Sequence, residues 1–273
     1  MDLHFCTEEK SGMNFLISND DGVSSPGITA LCRAALERGH HIVVSAPAAQ
    51  CSAMSQNLTL SKPLMVHELI HEGKQEVYSV EGTPADCVRL APRLTANNHF
   101  DFCLSGVNKG ENVSSGILYS GTVASAREGA MMNIPSIAVS LIAGGTAEGL
   151  NAIAAFAVRA AEFYAGKRFP RYGILNINGP KGLPSHWKKP VLCPVSEAYF
   201  KDSYVKRYSP YGQMYFWIGN ECAEDEILME PHAPGTDAAM LEAGHITCTF
   251  LGGIMCFNGD YRSSFDDFCS GPV

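Results

Sequence analysis

The segment from Met13 to Ala46 constrains this chain most. Met13 to Ser18 is a short apolar run that stops at the turn cluster Asn19-Asp20-Asp21-Gly22. Such a run, bounded by turn residues, suits a strand buried on both faces of a parallel sheet. Beyond Pro26-Gly27, the apolar residues Ile28, Leu31, Cys32, Ala35 and Leu36 recur at helical spacing, and Gly39 is a natural C-cap. Ile42 to Ala46 then reads as a second strand. A strand, helix and strand within roughly 30 residues form one βαβ unit. Parallel strands need that crossover, so the unit commits the chain to an α/β fold.

The pattern continues. Leu64 to Glu72 and Glu76 to Val80 flank Gly73-Lys74 and predict a hairpin. Thr83 and Pro84 open a helix as N-cap and first residue. Strands are predicted at Phe100 to Ser105, Ser136 to Leu141 and Tyr172 to Ile177, and helices at Thr122 to Met132 and Leu150 to Tyr164. A Gly/Ser/Asn-rich loop runs from Ser105 to Gly121. This alternation implies a doubly wound, mostly parallel sheet covered on both faces. After about residue 180 the texture changes to short β-like segments, Val191 to Val195, Gln213 to Ile218 and Ile246 to Phe250, with a helix at Asp237 to Glu242. The expected organisation is a disordered extension at 1–12, with Met13 a possible start, then an α/β body at 13–180 and a small β-rich extension at 181–273.

Composition narrows the partners. Lys and Arg total 20 against 28 Asp and Glu, a net charge of −8. That disfavours coating long nucleic acids or docking on an anionic membrane, both of which need a basic surface. Charged residues make up 18%, below the roughly 25% usual for soluble proteins, which implies that part of the surface is covered in an oligomer. No apolar run reaches the roughly 18 residues of a membrane span, and the polar N-terminus lacks a signal-peptide core; a cytoplasmic location is expected. The 10 cysteines are scattered without a C-x-x-C pair and read as reduced core residues.

Some motif matches are deceptive. His67-Glu68-Leu69-Ile70-His71 fits the helical zinc site of metalloproteases. Here it occupies a hairpin arm, where two histidines four residues apart stand about 13 Å from each other at roughly 3.3 Å per residue. One ion cannot bridge them. Cys32 with Arg38, and Cys87 with Arg93, fit the C-x5-R of thiol phosphatases, but both lie in predicted helices without the glycines of a phosphate loop. P-loop, G-x-S-x-G and G-x-G-x-x-G patterns are absent.

What remains is a set of polar loops, each after a predicted strand, where ligands bind in a doubly wound sheet. Asn19-Asp20-Asp21-Gly22 follows the first strand, the Pro47 to Ser55 loop with Ser52 the second, and Ser105 to Gly110 with Asn108 a later one. Adjacent carboxylates repel, and one is driven toward protonation unless a cation lies between them. Alone, an N-D-D-G turn reads as a solvated helix cap; at the end of the first strand of an α/β fold it reads as a site. Asp, Asn and Ser oxygens suit Mg²⁺ or Mn²⁺ better than Zn²⁺. Tyr119-Ser120-Gly121-Thr122 opens a helix whose free amides would hold an anion such as phosphate.

The ordered set Ser18-Asn19-Asp20-Asp21-Gly22-Val23, Gly82-Thr83-Pro84-Ala85-Asp86, Ser105-Gly106-Val107-Asn108-Lys109-Gly110 and Tyr119-Ser120-Gly121-Thr122 resembles the SurE family of metal-dependent 5′/3′-nucleotidases. The likeness runs from about Met13 to Phe250 and includes Ser52, Asn112, Asn176, Asn178 and Thr236-Asp237. It implies a Rossmann-like body with a C-terminal extension that exchanges elements between subunits, in a homodimer or homotetramer. It implies hydrolysis of nucleoside monophosphates with one divalent ion per subunit. By position, Asp20, Asp21, Ser52 and Asn108 would be metal ligands and Asp20 and Asp21 the catalytic pair. Asn19, Asn112, Ser120, Gly121 and Thr122 would bind phosphate. Cys51 and Ala53 flank Ser52 where the family often has a basic or polar residue and a glycine. A nucleotide-binding regulatory module and a nucleotide-sugar transferase are the rival readings.

Overall fold

The computed structural model describes residues 12–96, 98–167, 169–198, 203–219 and 232–252. The expected extension at 1–12, apart from Gly12, and the tail beyond Gly252 lie outside them. The elements are β1 (Asn14–Ser18), α1 (Pro26–Glu37), β2 (His41–Pro47), β3 (Val66–Glu72), β4 (Gln75–Val80), α2 (Pro84–Leu90), β5 (Phe102–Lys109), α3 (Gly121–Met131), β6 (Ser136–Leu141), α4 (Ala147–Tyr164), β7 (Ile174–Gly179), β8 (Lys188–Leu192), β9 (Ser203–Tyr208), β10 (Met214–Gly219), α5 (Asp237–Glu242) and β11 (His245–Leu251).

A nine-stranded sheet runs β3-β4-β2-β1-β5-β6-β7-β11-β8. From β4 to β7 its neighbours are parallel, while β3 and β11 run against β4 and β7. The chain builds outward from β1 through β2 on one side, then crosses to β5 on the other. The switch point is therefore between the C-terminal ends of β1 and β5, which is where such folds bind ligands.

Phe15, Leu16 and Ile17 of β1 are wholly buried because helices cover both faces. Phe15 and Ile17 meet the layer containing Ile28, Leu31, Ile153 and Val158 of α1 and α4. Leu16 meets Val43, Tyr78 and Val88 on the α2 side. Each such side chain contributes about 1.5–3 kcal/mol by leaving water. Helix starts follow capping chemistry: Ser25, Ser120 and Thr146 accept from Ile28, Val123 and Gly149 amides, and Thr83 forms a reciprocal capping box with Asp86.

Several boundaries differ from the sequence pattern. β5 does not stop at Ser105 but continues to Lys109 through a register shift. Glycine makes that possible: a Cβ on Gly106 would lie 2.2 Å from the Val139 carbonyl oxygen, and one on Gly27 1.9 Å from that of Val107. Asn108 is thus on the strand. β7 starts at Ile174, since Tyr172 turns the chain at φ 57°.

His67 and His71 are on strand β3, as the hairpin reading requires, with a bulge between Glu68 and Ile70. Among the described residues no three His, Cys, Asp or Glu side chains cluster as a metal site. Cys32 and Cys87 are buried in α1 and α2; burial pushes the Cys32 thiol up to about 12 and raises that of Cys87. Neither is the thiolate a phosphatase needs. The thiols of Cys51, Cys103, Cys193 and Cys248 are also unpaired.

The chain after residue 180 has two fates. β8 and β11 extend the main sheet. Buried Asp237, at the start of α5, accepts from the amides of Ser196 (2.8 Å) and Ser114 (3.2 Å), tying this region to the segment before α3. By contrast β9 and β10 form a separate antiparallel ribbon, with Tyr204, Tyr208, Tyr211, Phe216, Trp217 and Ile218 exposed. Ser203–Tyr208 was not legible as a strand. No helix among the described residues is long and apolar enough to cross a membrane.

Candidate functional site

The turn after β1 is shaped by Asn19. Its side-chain amide donates to the Gly22 carbonyl (2.9 Å) and to the Ser25 hydroxyl (2.7 Å), which ties the turn to the cap of α1. Its own Oδ1 is buried without a hydrogen-bond partner. So are the hydroxyls of Ser18, at the end of β1, and Ser105, its register partner in the middle of β5. Unpaired buried polar atoms are uncommon and demand an explanation.

Asp20 is only 4% exposed. Its Oδ1 accepts a 2.5 Å hydrogen bond from the Thr122 hydroxyl. The carboxylate lies against the first residue of α3: a Cβ on Gly121 would come within 2.8 Å of Asp20 Oδ2. Burial raises the Asp20 pKa, and the neighbouring Asp21 charge adds to this, against the pull of the Thr122 hydroxyl and backbone amide. A helix N-terminus stabilises negative charge, yet here it does not cancel the cost of burial.

Two further segments close on this corner. The Cys51 amide donates to the Asp20 carbonyl at 2.7 Å, which brings Ser52 within one residue of the turn. Ser52 is exposed and its hydroxyl receives the Gln50 side-chain amide at 2.9 Å. The loop turns through left-handed Ala53 and Ser55, and Ser55 binds the Tyr119 and Leu118 carbonyls at 3.1 and 3.0 Å. On the other side the Lys109 amide approaches Asp21 Oδ2 at 3.4 Å. Asn108 precedes it, and its side-chain amide nitrogen donates to the Gly110 carbonyl at 2.8 Å.

The residues expected at a phosphate divide into two groups. Ser120, Gly121 and Thr122 form the N-terminal turn of α3 beside Asp20. Ser120 accepts from the Val123 amide at 3.0 Å and keeps its own proton to donate. Thr122 is already engaged with Asp20. Asn112 is buried: its side-chain amide nitrogen donates to Ser140 (2.8 Å), and its backbone carbonyl accepts from the side chains of Asn176 (2.8 Å) and Asn178 (3.1 Å). It braces the loop between β5 and α3 on β6 and β7.

Other supports join segments far apart in the sequence. Buried Glu128 of α3 accepts from Gln56 at 2.7 Å and faces Arg89 at 3.4 Å. Asp86 accepts the Thr59 amide with both oxygens, at 3.0 and 3.2 Å. These contacts hold the loop after β2 on α2 and α3, through pairs too distant in sequence for any spacing rule to find.

Comparison with known proteins adds an independent line. Residues 15–202 match the model of the family described as Survival protein SurE. The chain is 38% identical over 243 residues to the 5′-nucleotidase SurE of Solidesulfovibrio magneticus, covering 88% of this chain and 91% of that one. It is 39% identical over 257 residues to the 5′-nucleotidase SurE of Prochlorococcus marinus, covering 92% and 94%. The crystal structure of the SurE protein from Aquifex aeolicus is similar with a TM-score of 0.76 at 30% identity, over 94% of this chain and all of that one.

Proposed function

This chain belongs to the SurE family, and from that premise we propose that it is a divalent-metal-dependent phosphomonoesterase that hydrolyses nucleoside 5′-monophosphates, and 3′-monophosphates in second place, to nucleoside and phosphate. The observation that carries this reading is Asp20: a buried carboxylate with Asp21 beside it, against the N-terminus of α3 at the switch point of the sheet.

The residues fit a divalent ion. Asp20, Asp21, Ser52 and Asn108 offer hard oxygen donors, the chemistry Mg²⁺ and Mn²⁺ prefer. Two neighbouring carboxylates, one nearly buried, are a pair that a cation relieves. The space beside Asp20 Oδ2 exists because residue 121 has no side chain. When bound, the ion supplies positive charge to the phosphoryl oxygens and acidifies water.

The chain's own groups do the rest. The Thr122 hydroxyl fixes one oxygen of Asp20, so its other oxygen has a defined direction. Asp20 or Asp21 orients the attacking water and takes its proton. The Gly121 amide and the Ser120 hydroxyl donate to the phosphoryl oxygens as charge develops on them. Asn19 and Asn112 act by holding the turn and the loop that carry these donors.

Phosphate release from a panel of nucleotides, in Mn²⁺, in Mg²⁺ and in EDTA, tests the proposal. Release from nucleoside monophosphates that stops in EDTA is expected. Full activity in EDTA overturns the metal dependence. Nucleotide binding without release from any phosphomonoester favours a regulatory module, and sugar transfer from a nucleotide sugar favours a transferase.

Assembly belongs to the same proposal. The exposed aromatic face of the β9–β10 ribbon and the 18% charged composition support a homodimer or homotetramer joined through that ribbon. The unpaired thiols support a reducing, cytoplasmic setting. Light scattering at micromolar concentration reads the assembly; a monomer removes this part of the proposal.

A further inference from the structure

The loop after β2 carries Ser52 and is tied down on either side of it. Before it, the Cys51 amide donates to the Asp20 carbonyl at 2.7 Å. After it, Ser55 donates to the carbonyls of Tyr119 and Leu118, and the Gln56 side-chain amide donates to Glu128 of α3 at 2.7 Å. Ser52 itself is exposed and, among the described residues, its hydroxyl meets only the side chain of Gln50. We infer that Gln56 and Glu128 form a latch that positions Ser52 for the metal ion, which makes both of them positioning residues of the reaction. The inference rests on the divalent-metal reading and names what holds the one exposed residue among its four ligands.

The burial of Glu128 is the first argument. Its residue exposure is 3%, and a buried carboxylate needs its hydrogen bonds met. One oxygen faces the Arg89 guanidinium at 3.4 Å, but that side chain is 55% exposed and water screens its charge. The other oxygen receives the Gln56 amide. A hydrogen bond to an ionised acceptor is roughly twice as strong as one between neutral groups, so the grip on the loop is charge-assisted.

Strain in the loop is the second. Ala53 and Ser55 sit at φ 56° and 51°, a left-handed conformation that residues with a Cβ avoid. Such a turn persists only where its surroundings impose it. Released at Gln56, these residues return to negative φ, and Ser52, between Cys51 and Ala53, leaves the Asp20 corner.

The third is a shared reference. Glu128 lies about two turns after Gly121 on α3. One rigid helix therefore carries the phosphate donors at its start and the latch further along. It sets the Ser52 loop and the phosphate turn at a fixed spacing.

The experiment compares Gln56→Ala, Gln56→Glu and the pair Gln56→Glu/Glu128→Gln with the wild type at pH 8. Gln56→Glu sets two carboxylates against each other; the pair restores an amide–carboxylate bond with donor and acceptor exchanged. Mn²⁺ binding is read by electron paramagnetic resonance of the free ion, and the loop by hydrogen exchange of the Cys51 and Ser55 amides. Each single change is expected to weaken Mn²⁺ binding about tenfold and to speed exchange at both amides. The pair regains most of both losses. A contact that is merely structural lowers the melting point without moving Mn²⁺ affinity, and that result overturns the inference. Wild-type exchange and affinity in both single variants overturn it too, as does a folded pair without recovery. If the pair does not fold, Gln56→Ala, at a half-buried loop position, decides. A wild type that binds no Mn²⁺ overturns the metal reading instead, and the exchange rates still decide the latch.

Discussion

The rim of the sheet around Asp20 and the β9–β10 ribbon break the ordinary rule of burial in opposite directions. At the rim, polar atoms are buried and short of partners: Asp20 is 4% exposed, and Ser18, Ser105 and Asn19 carry unpaired oxygens. On the ribbon, large apolar side chains are out in solvent, Trp217 at 66% and Ile218 at 67%. Each arrangement costs free energy in the isolated chain. Under the proposed function a cation would relieve the first arrangement and the apolar face of a second copy the second.

The sharpest way to break this comparison is to remove the charge at the rim. Asp20→Asn and Asp21→Asn should each lower kcat by about 10²-fold or more, read as phosphate release. Thermal denaturation of Asp20→Asn should show a melting point equal to or above that of the wild type, because the buried carboxylate disfavours its charged form. An active double variant refutes the assignment. Gly121→Ala comes next. Its methyl would sit 2.7 Å from Asp20 Cβ, so turnover should fall at least about tenfold, with about 1–3 kcal/mol of stability lost to overpacking in urea denaturation.

The ribbon should respond the other way. Trp217→Ser should weaken self-association by about tenfold or more, seen by light scattering over a dilution series. The denaturation midpoint of the dissociated chain should stay unchanged. A smaller effect tests the loop after β2 at its anchor on α2. Burial raises the Asp86 carboxyl, but hydrogen bonds from Thr59 and Thr83 outweigh this and hold it below the usual range. A lowered pKa stabilises the fold above the unfolded value and loses that stabilisation as pH falls through the folded one. Asp86→Asn should therefore cost about 1 kcal/mol near neutral pH, a typical cap contribution, and the gap to wild type should close well below about pH 4 in parallel denaturation curves.

How much of this was legible in the sequence depended on range. β1, α1 and β2 follow from local apolar spacing, and Thr83-Pro84 from capping chemistry, because residues close in the chain decide those elements. The false zinc motif at His67 and His71 was rejected on strand geometry alone. The continuation of β5 through Gly106 to Asn108 was not legible, since glycine and asparagine are poor strand residues and only the fit of Gly27 against Val107 makes room for them. The insertion of β11 between β7 and β8 was equally hidden, as no local pattern specifies a neighbour some 60 residues away. At the site, the family resemblance offered the Ser120-Gly121-Thr122 turn to phosphate; the bond from the Thr122 hydroxyl to Asp20 carried no sequence signal, because the two residues lie about a hundred positions apart.

The two outermost strands of the main sheet carry one more consequence, for how copies of this protein meet. β3 presents His67, Glu68, His71 and Glu72 and is bulged at Glu68/Ile70; β8 begins Lys188-Lys189-Pro190. Charge, a bulge and a residue without an N–H are the devices that stop a sheet edge from recruiting a foreign strand. Growth of the sheet from molecule to molecule is blocked at both ends, so crowded copies have no ready path from this sheet to a cross-β fibre.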